Sequence, residues 1–445
     1  MKKVGMVSLG CPKNTVDSER VLGDLSTSGF KLTQDEKDAE VIIVNTCGFI
    51  ESAKKESVDT ILEMARHKTE GNCKQLIITG CLAERYGQEL LDEIPEIDHM
   101  LGVGQYPQLK NIIEEKDPLS RNHVATPAEY YESYTDRLLT TAFYTAYLKI
   151  SEGCSNRCAF CIIPKMRGPM RSRSPESILA EAEHLAGKGV KELNLISQDT
   201  TMYGFDLAMK DGLVRLLKEL VKVDGLEWIR LLYCYPTFLN SEMIELIASE
   251  PKVCSYIDVP LQHTQDEMLK SMKRQETEGE VRKMLEEIRL KIPNVALRTT
   301  FITGFPGETE THFQHMVRFL CEMEFDHVGV FTYSDEEGTT AFDYPNRVPE
   351  EVKIERRDTL MEFQKEIALR KNLERVGKVE QVLVEGFDPE NYLMTGRLTS
   401  QAPDIDGQVI LEKCETDPGE IIPVRLNQAA DYDLVGEPEA TVISQ

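Results

Sequence analysis

The sequence predicts an α/β protein in three parts: an N-terminal Rossmann-like domain built on a parallel sheet, a central partial (β/α)6 barrel of the TIM type, and a small C-terminal OB-like β-barrel. Three observations predict this order. Apolar runs alternate with helical patterns near the N-terminus, six further strand–helix units follow, and short strands separated by Gly, Pro and Asp turns come last. The length of 445 residues agrees with several domains of roughly 100–200 residues each.

Residues 1–117 form the predicted first domain. Three apolar runs are each followed by a helical pattern: 4–9 with 17–28, 41–45 with 49–67, and 76–79 with 83–93. Apolar strands that alternate with amphipathic helices are typical of a parallel sheet covered by helices. Residues 118–137 are polar, and we predict a linker there.

Residues 138–372 form the predicted barrel. Six strand-like runs recur in it, separated by helical stretches: 144–150, 192–197, 228–233, 255–259, 297–303 and 327–333. Six consecutive βα units predict a full or partial barrel whose site lies at the carboxyl ends of the strands. A charged amphipathic pattern over 349–375 predicts a helix that docks against the barrel and connects it to the next domain.

Residues 376–445 form the predicted β-module. Strand-like runs are separated by turns at 379–385, 392–398, 408–412 and 421–426. Four basic against fourteen acidic residues give the module a net charge of −10. Small barrels of this kind often bind RNA, but neutralising phosphates requires an excess of Lys and Arg. We therefore expect no RNA binding through this module.

The whole chain is also acidic. It has 51 Lys and Arg against 76 Asp and Glu, a net charge of −25, which excludes a protein that coats nucleic acid and favours basic partners. No apolar run approaches the roughly 20 residues that span a bilayer. The apolar run near Met1 is too short for a signal peptide. We therefore expect a cytoplasmic protein with no membrane partner.

Cys154, Cys158 and Cys161, hereafter the loop cysteines, follow the first predicted barrel strand at spacings of four and three residues. A structural zinc site requires a fourth Cys or His, and none lies nearby in the sequence. Three thiolates on one loop fit a [4Fe–4S] cluster with one iron open to a ligand. Zinc or a chance spacing is the alternative.

Cys11, Cys47 and Cys81, hereafter the N-terminal cysteines, each follow an apolar run and precede a helical pattern. The carboxyl ends of parallel strands meet at the edge of an open sheet where ligands bind. We therefore predict a second three-cysteine cluster there, with three buried core cysteines as the alternative. The other cysteines lack this placement and are expected to be small buried apolar residues: Cys73, Cys234, Cys254, Cys321 and Cys414.

These motifs resemble the radical S-adenosylmethionine (SAM) superfamily, whose signature is Cys-x3-Cys-x2-Cys with an aromatic residue, here Phe160, before the third cysteine. The N-terminal cysteines and the β-module narrow the resemblance to methylthiotransferases, in which a cluster domain, a radical SAM core and a TRAM domain follow in this order. Three stretches are similar to the RimO-type subgroup: Ser8-Leu-Gly-Cys-Pro-Lys-Asn, Ser197-Gln-Asp-Thr-Thr and Leu232-Tyr-Cys-Tyr-Pro. The resemblance covers essentially the whole chain.

The resemblance implies an enzyme that adds a methylthio group to the β-carbon of an aspartate in protein uS12 of the small ribosomal subunit. The loop cysteines would hold the [4Fe–4S] cluster at which SAM is cleaved to a 5′-deoxyadenosyl radical, which takes a hydrogen atom from the aspartate. The N-terminal cysteines would hold a second [4Fe–4S] cluster that supplies sulfur. The implied partners are the basic ribosomal protein, free or on the ribosome, and a reductase or flavodoxin-type electron donor.

Two other functions are weighed against this one. A transfer-RNA methylthiotransferase has the same chemistry, but it would need a basic C-terminal module, and direct tRNA binding is not expected here. A cluster scaffold or electron carrier without radical chemistry would need neither the second set of cysteines nor the six-unit barrel.

Four further residues are candidate cofactor contacts. Gln198 and Asp199 end the second barrel strand, close to where a cofactor would lie, although Asp199 is also placed to cap the next turn. Gly304 and Gly307 would let the backbone approach the adenine closely, or they are only turn glycines.

Other candidates have an open role. His263 follows the fourth barrel strand, where it is either a site residue or a structural hydrogen-bonding residue. A basic stretch would hold a carboxylate of the cofactor or substrate, or is a solvated loop; it contains Arg157, Lys165, Arg167, Arg171 and Arg173. Tyr233 and Tyr235 either stack on the cofactor or pack in the barrel wall.

Overall fold

The computed structural model describes residues 2–114, 120–125, 137–389 and 392–439. Within them the chain forms a five-stranded sheet, a six-stranded sheet, a two-stranded ribbon and a closed five-stranded barrel. The predicted α/β class and the order of the three parts are therefore confirmed. The exact domain boundaries stay a prediction.

The N-terminal sheet is entirely parallel, with strand order β2-β1-β3-β4-β5. Its strands are β1 (Lys3–Ser8), β2 (Lys31–Leu32), β3 (Val41–Thr46), β4 (Gln75–Gly80) and β5 (His99–Met100). Its helices are α1 (Pro12–Thr27), α2 (Glu51–Ala65), α3 (His67–Glu70), α4 (Cys81–Glu93) and α5 (Leu109–Ile113). Strands β3 and β4 are buried along their whole length, which explains why they are continuous apolar runs.

Part of the predicted linker adds to this sheet. Asn122 forms a parallel bridge with Met100 of β5, and the His123 N–H donates to the Met100 carbonyl. Residues 121–123 therefore pair with the sheet edge through a single bridge, although their polar sequence resembles a loop. The rest of the predicted linker, except residue 137, lies outside the described residues.

The central sheet is parallel, and its order β6-β9-β10-β11-β12-β13 follows the sequence, as a partial (β/α)6 barrel requires. Its strands are β6 (Thr145–Lys149), β9 (Glu192–Ile196), β10 (Trp228–Leu231), β11 (Val253–Asp258), β12 (Ala296–Thr303) and β13 (His327–Thr332), while β7 (Ser151–Glu152) and β8 (Arg171–Ser172) form the antiparallel ribbon. The helices are α6 (Ile163–Arg167), α7 (Pro175–Gly187), α8 (Gly212–Leu220), α9 (Ser241–Ser249), α10 (Asp266–Ser271), α11 (Glu278–Lys291), α12 (Glu310–Met323) and α13 (Glu350–Leu373).

Helix α1 joins the N-terminal sheet to the open edge of the barrel, because it packs against β6 as well as β1. Its polar residues are buried at this contact. Glu19 Oε2 lies 3.2 Å from Arg137 Nε, and Arg20 lies 3.4 Å from Glu181. The charged sequence of α1 therefore belongs to a domain contact rather than to a solvated face.

The C-terminal module is a closed barrel with order β14-β15-β16-β18-β17, which confirms the OB-like prediction with one strand more than expected. Its strands are β14 (Val379–Asp388), β15 (Leu393–Leu398), β16 (Val409–Leu411), β17 (Ile421–Ala429) and β18 (Leu434–Pro438). Strand β18 is not predicted from the sequence, because its only apolar pair precedes Gly and Pro, which are rare inside strands.

The module and α13 both pack on the central barrel. The hydroxyl of Tyr147 donates to Asp404 (2.9 Å), and that of Tyr256 donates to Asp406 (2.8 Å). Helix α13 packs against β12, β13 and α12, as predicted for a docking helix. Within the described ranges, no helix combines the length and the hydropathy needed to cross a membrane.

Candidate iron–sulfur and SAM site

The N-terminal cysteines lie at the carboxyl edge of the five-stranded sheet. Cys11 directly precedes α1, Cys47 follows β3, and Cys81 is the first residue of α4. A Cβ on Gly10 would lie 3.1 Å from Cys47 Sγ, which shows how closely the first two loops approach. The structure thus places the three N-terminal cysteines at one sheet edge, as predicted from the strand that precedes each of them. Their role as ligands stays a prediction.

Asparagines and a glycine hold these loops together. Asn14 Nδ2 donates to the Leu9 carbonyl (2.9 Å) and to the Thr46 carbonyl (3.0 Å), which precede the first two N-terminal cysteines. Asn45 Nδ2 donates to the Asn14 carbonyl (3.1 Å). Gly80 has a φ of 94°, and a Cβ there would overlap the Thr46 carbonyl oxygen. Only glycine allows the third loop to approach this closely.

The loop cysteines lie between β7 and α6, at the carboxyl end of the first barrel strand. The Cys154 N–H donates to the Gly168 carbonyl (3.1 Å), and the Ala159 N–H donates to the Met272 carbonyl (2.9 Å). These bonds close the loop and fasten it to the segment after α10. The Cys161 N–H donates to the Cys158 carbonyl (3.1 Å), so the last two loop cysteines share one tight turn.

Burial raises the pKa of thiols in both sets. It raises the pKa of Cys47 to about 12 and that of Cys154 to about 11. It also raises the pKa of Cys81, Cys158 and Cys161. The protein therefore favours neutral thiols, and a metal centre that binds here must displace their protons.

The two sets meet where the N-terminal domain contacts the mouth of the barrel. Cys81 packs against Ile162 and Met166, which follow the last loop cysteine. Arg167 crosses the same contact, since its Nη2 donates to Asn14 Oδ1 (2.5 Å) and its charge acts on the Cys81 thiol. A chemical group held between the domains would therefore be close to both sets.

A buried ion network stands beside this contact. Lys149 binds Asp17 and lies 2.7 Å from Glu152 Oε2. Arg167 Nη1 lies 3.1 Å from Asp17 Oδ2 and 2.9 Å from Glu152 Oε2. Burial raises the pKa of Glu152, but the cations of Arg167 and Lys149 lower this pKa by more, so it lies well below its ordinary value. Two cations and two carboxylates thus balance across the domain contact.

Arg274, which no sequence pattern predicts as a site residue, lies against the loop cysteines. Its Nη1 is 3.9 Å from Cys158 Sγ, and its Nε is 2.6 Å from Glu276 Oε1. A cation at this place stabilises the thiolate form of the cysteine. Arg274 lies in a polar segment before α11, and no spacing in the sequence connects it to the cysteine loop.

The structure separates the two candidates after β9. Gln198 Nε2 donates to Glu152 Oε1 (2.8 Å), and its buried Oε1 has no hydrogen-bond partner among the described residues. Asp199 caps the next turn through Thr201 N–H (3.1 Å) and accepts from Asn156 of the cysteine loop (2.7 Å). Gln198 has an acceptor available for a cofactor, whereas Asp199 positions the loop. Contact of either residue with SAM stays a prediction.

Two of the other cofactor candidates, Gly304 and Phe160, have packing roles in the structure in addition to the predicted cofactor contacts. Gly304 and Gly307 have φ values of 74° and 87° in the turn after β12. A Cβ on Gly304 would overlap the Lys353 side chain, so the docking of α13 already requires glycine there. Phe160 packs against an apolar cluster that includes Phe305. Contacts of these residues with the cofactor stay predictions.

His263 has the structural role that the sequence analysis left open. Its Nδ1 accepts from the backbone N–H groups of Thr264 (2.8 Å) and Gln265 (3.1 Å), and its Nε2 lies 3.6 Å from Glu308. Burial lowers the pKa of His263, which keeps the ring neutral. The residue fixes the turn after β11.

The basic stretch is used mainly inside the protein. Arg173 is buried and lies 2.6 Å from Glu181 Oε2, and Arg167 belongs to the ion network described above. Arg157 and Lys165 are exposed. Both buried arginines are thus occupied by the protein's own carboxylates, a role that neither sequence interpretation included.

Tyr233 and Tyr235, which follow β10, each carry a cation on the ring face. Lys13 Nζ lies 2.9 Å from the centroid of Tyr233, and the Arg274 guanidinium lies 4.0 Å from that of Tyr235. Burial lowers the pKa of Lys13 to about 8. These rings position cations near the two sets of cysteines.

The cysteines outside the two sets follow the prediction in three of five cases. Cys73, Cys234 and Cys254 are buried. The prediction is wrong for Cys321, which is exposed because the buried face of α12 is formed by Phe313, Met316, Phe319 and Leu320. Cys414 is half-buried.

The donor chemistry of both sets fits an iron–sulfur cluster. All six thiols are free of disulfides, and soft thiolate ligands suit such clusters. No group of three or more His, Cys, Asp and Glu side chains in the described part of the chain is arranged to hold a metal ion. A cubane takes its thiolates on different irons, so they lie farther apart than the ligands of one ion.

Comparisons with known proteins agree with this chemistry. Residues 3–102 match the uncharacterized protein family UPF0004, residues 148–320 match the Radical SAM superfamily, and residues 376–438 match the TRAM domain. The chain is 48% identical over 439 residues to the ribosomal protein uS12 methylthiotransferase RimO of Pelobacter propionicus, and the match covers 98% of each chain. The chain belongs to the RimO methylthiotransferase family. RimO of Geobacter sulfurreducens shows the same identity over the same shares of both chains.

A further RimO protein, from Pelotomaculum thermopropionicum, is 48% identical over 441 residues, 98% of this chain and 99% of that one. Membership of the RimO family makes the chain a radical SAM transferase that uses SAM and an iron–sulfur cluster. The radical SAM methyltransferase TsrM of Kitasatospora setae shares the fold, with a TM-score of 0.56 and 17% identity over 74% of this chain and 75% of TsrM.

Proposed function

We propose that this chain adds a methylthio group to the β-carbon of an aspartate in ribosomal protein uS12. Its membership of the RimO family supports both the reaction class and the substrate. The observation that carries the proposal is the meeting of two three-cysteine sets at one domain contact, where Cys81 packs against the residues that follow the loop cysteines.

Each set is proposed to hold one [4Fe–4S] cluster. The loop cysteines would hold the one that binds SAM, and the N-terminal cysteines the one that carries sulfur. When bound, such clusters supply the electron that cleaves SAM and the sulfur that is transferred. The chain itself holds the six thiols, shields them from water and brings the substrate between them. A radical route suits this substrate, because a β C–H beside a carboxylate is a poor target for an ordinary base.

The charge of the C-terminal module supports a protein substrate. A net charge of −10 repels RNA phosphates and attracts a basic ribosomal protein. We propose that the protein acts in the cytoplasm and receives electrons from a reductase or a flavodoxin-type donor.

The test uses purified protein reconstituted anaerobically with iron and sulfide, then incubated with uS12, SAM and a chemical reductant. Mass spectrometry should detect a methylthio group on one aspartate of uS12. Cys158→Ala should abolish 5′-deoxyadenosine formation and reduce bound iron from about eight to about four atoms per chain. Cys47→Ala should remove as much iron and all methylthiolation, yet leave SAM cleavage. Cys73→Ala, a buried cysteine outside both sets, is the matched control.

Two results would contradict the proposal. One is a wild-type protein that binds only about four irons per chain. The other is that, in cells lacking the protein, uS12 keeps its methylthio mass while transfer-RNA nucleosides change.

A further inference from the structure

Lys13 places a buried cation between the N-terminal domain and the barrel. It lies in the first turn of α1, two residues after Cys11, and only 7% of its surface is exposed. Its Nζ lies 2.9 Å from the ring centroid of Tyr233, which follows β10 with a φ of 61°. The ammonium is therefore held at the barrel mouth, beside the N-terminal cysteines.

The ammonium of Lys13 lacks a carboxylate partner in direct contact. Across residues 2–114, 120–125, 137–389 and 392–439, the ammonium directly contacts the ring of Tyr233 and no carboxylate. Cys11 and the carboxylates of Asp258 and Glu152 act on it electrostatically, without a direct contact in the described residues. Asp258 is engaged elsewhere, because its Oδ2 accepts from the Tyr233 N–H (2.9 Å) and its Oδ1 lies 3.4 Å from Arg298.

Neighbouring buried cations at the same contact are paired in the ordinary way. Lys149 and Arg167 share the carboxylates of Asp17 and Glu152. Burial of an ammonium costs free energy that one aromatic ring offsets only in part. A site that keeps such a cation beside a reaction centre is suited to an anionic group of the ligand.

We propose that the Lys13 ammonium, held over Tyr233, binds the side-chain carboxylate of the substrate aspartate. This inference rests on the proposed function and names the group that recognises its substrate. The carboxylate is one bond from the β-carbon, so an ion pair at Lys13 would hold that carbon beside the N-terminal cysteines. An asparagine in its place would leave the ammonium without a counter-charge, and the enzyme would therefore select aspartate.

The experiment compares the reconstituted holoenzyme with its Lys13→Met and Lys13→Arg variants. The ligands are purified uS12 and uS12 with asparagine at the modified position, and their affinities are measured without reductant, so that no turnover occurs. SAM affinity and iron content are measured in parallel. Lys210→Met is the control, because that side chain is 83% exposed and its Nζ lies 3.8 Å from Asp211.

Wild type and the Lys210→Met control should bind the aspartate form about 10–100-fold more tightly than the asparagine form, as expected for one charge-assisted hydrogen bond. Lys13→Met should bind both forms equally, with affinity for the asparagine form, SAM affinity and iron content unchanged. Lys13→Arg should keep part of the preference, because it keeps the cation.

Three results would overturn the inference. In the first, Lys13→Met keeps the wild-type preference for aspartate. In the second it loses SAM affinity instead, and in the third it loses the iron of the N-terminal set; in both of these cases the ammonium serves the cofactors. Each can occur while wild type still methylthiolates uS12. If wild type does not modify uS12 at all, the proposed function fails, and this inference fails with it.

Discussion

Glu192 is a buried residue of the central barrel that anchors the C-terminal module to it. Its replacement by glutamine tests that role. Its buried carboxylate accepts hydrogen bonds from Arg397 Nη2 (2.6 Å), Arg230 Nη2 (3.0 Å) and Thr145 Oγ1 (2.9 Å). Arg397 belongs to β15 of the module, whereas the other three residues belong to strands of the barrel. Glu192→Gln keeps the shape of the side chain but leaves two buried guanidinium groups with one carboxylate fewer.

Two independent figures give the size of the effect. Removing one partner of a buried ion pair costs about 3–5 kcal/mol. Burial raises the pKa of Glu192, but Arg397 and Arg230 together lower it from 4.5 to about 2. At about 1.4 kcal/mol per pKa unit, that shift corresponds to ~3 kcal/mol of stabilisation. We therefore expect Glu192→Gln to reduce the free energy of opening the module by about 3–5 kcal/mol.

The pH dependence follows from the direction of the shift. Because the folded-state pKa of Glu192 is lower than the unfolded one, the stabilisation is complete above pH 4.5 and is lost as the pH falls toward 2. The difference between wild type and Glu192→Gln should therefore shrink steadily across this window.

Hydrogen exchange of β15 amides, read by mass spectrometry, measures the free energy of opening. Glu420→Gln is the matched control, since Glu420 also joins the module to the barrel, through Lys191 at 3.0 Å, but is 57% exposed. An exposed pair contributes less than about 1 kcal/mol. Equal effects of the two substitutions, or a Glu192→Gln effect that does not change with pH, would refute the reasoning.

Two further substitutions test how the cysteines are supported. Arg274→Met removes the cation 3.9 Å from Cys158 Sγ and should lower the reduction potential of the loop cluster by roughly 60 mV, or ~1.4 kcal/mol. A redox titration followed by electron paramagnetic resonance measures this potential, and Arg274→Lys should recover part of it. An unchanged potential would show that the cation does not act on the cluster. Gly80→Ala forces a Cβ onto the Thr46 carbonyl at positive φ and should destabilise the N-terminal domain by about 1–3 kcal/mol, which lowers its melting temperature and iron content. Gly279→Ala is the control, because a Cβ there meets no other atom and should change neither quantity. Equal melting temperatures of the two variants would argue against the close approach at Gly80.

Local patterns were sufficient to predict the order of the elements. The six barrel strands lie within two residues of their predicted starts because buried parallel strands are apolar runs bounded by polar turns. The placement of the N-terminal cysteines could also be predicted, since the carboxyl ends of parallel strands share one edge. The loop cysteines are close in sequence, so their convergence needs only one loop.

Long-range partners were not predictable, because no local pattern records them. Arg167 resembles a solvated charge in a basic stretch, yet it is neutralised by Asp17, 150 residues away. Arg274 reaches Cys158 across 116 residues. Helix α1 likewise carries many charged residues, and its docking against β6 shows why several of them are buried.

The sequence by itself thus determined the three-part fold, the two sets of cysteines and the family chemistry, because each follows from a local pattern: close spacing for the loop cysteines, and the end of an apolar strand for each N-terminal cysteine. The tertiary structure alone decided how the sets meet and which charges surround them. The physical reason is that a buried charge requires a partner of opposite sign, and the fold brings such partners together from distant parts of the chain. Lys13, which lacks one in direct contact among the described residues, is visible as a candidate only after that pairing is known.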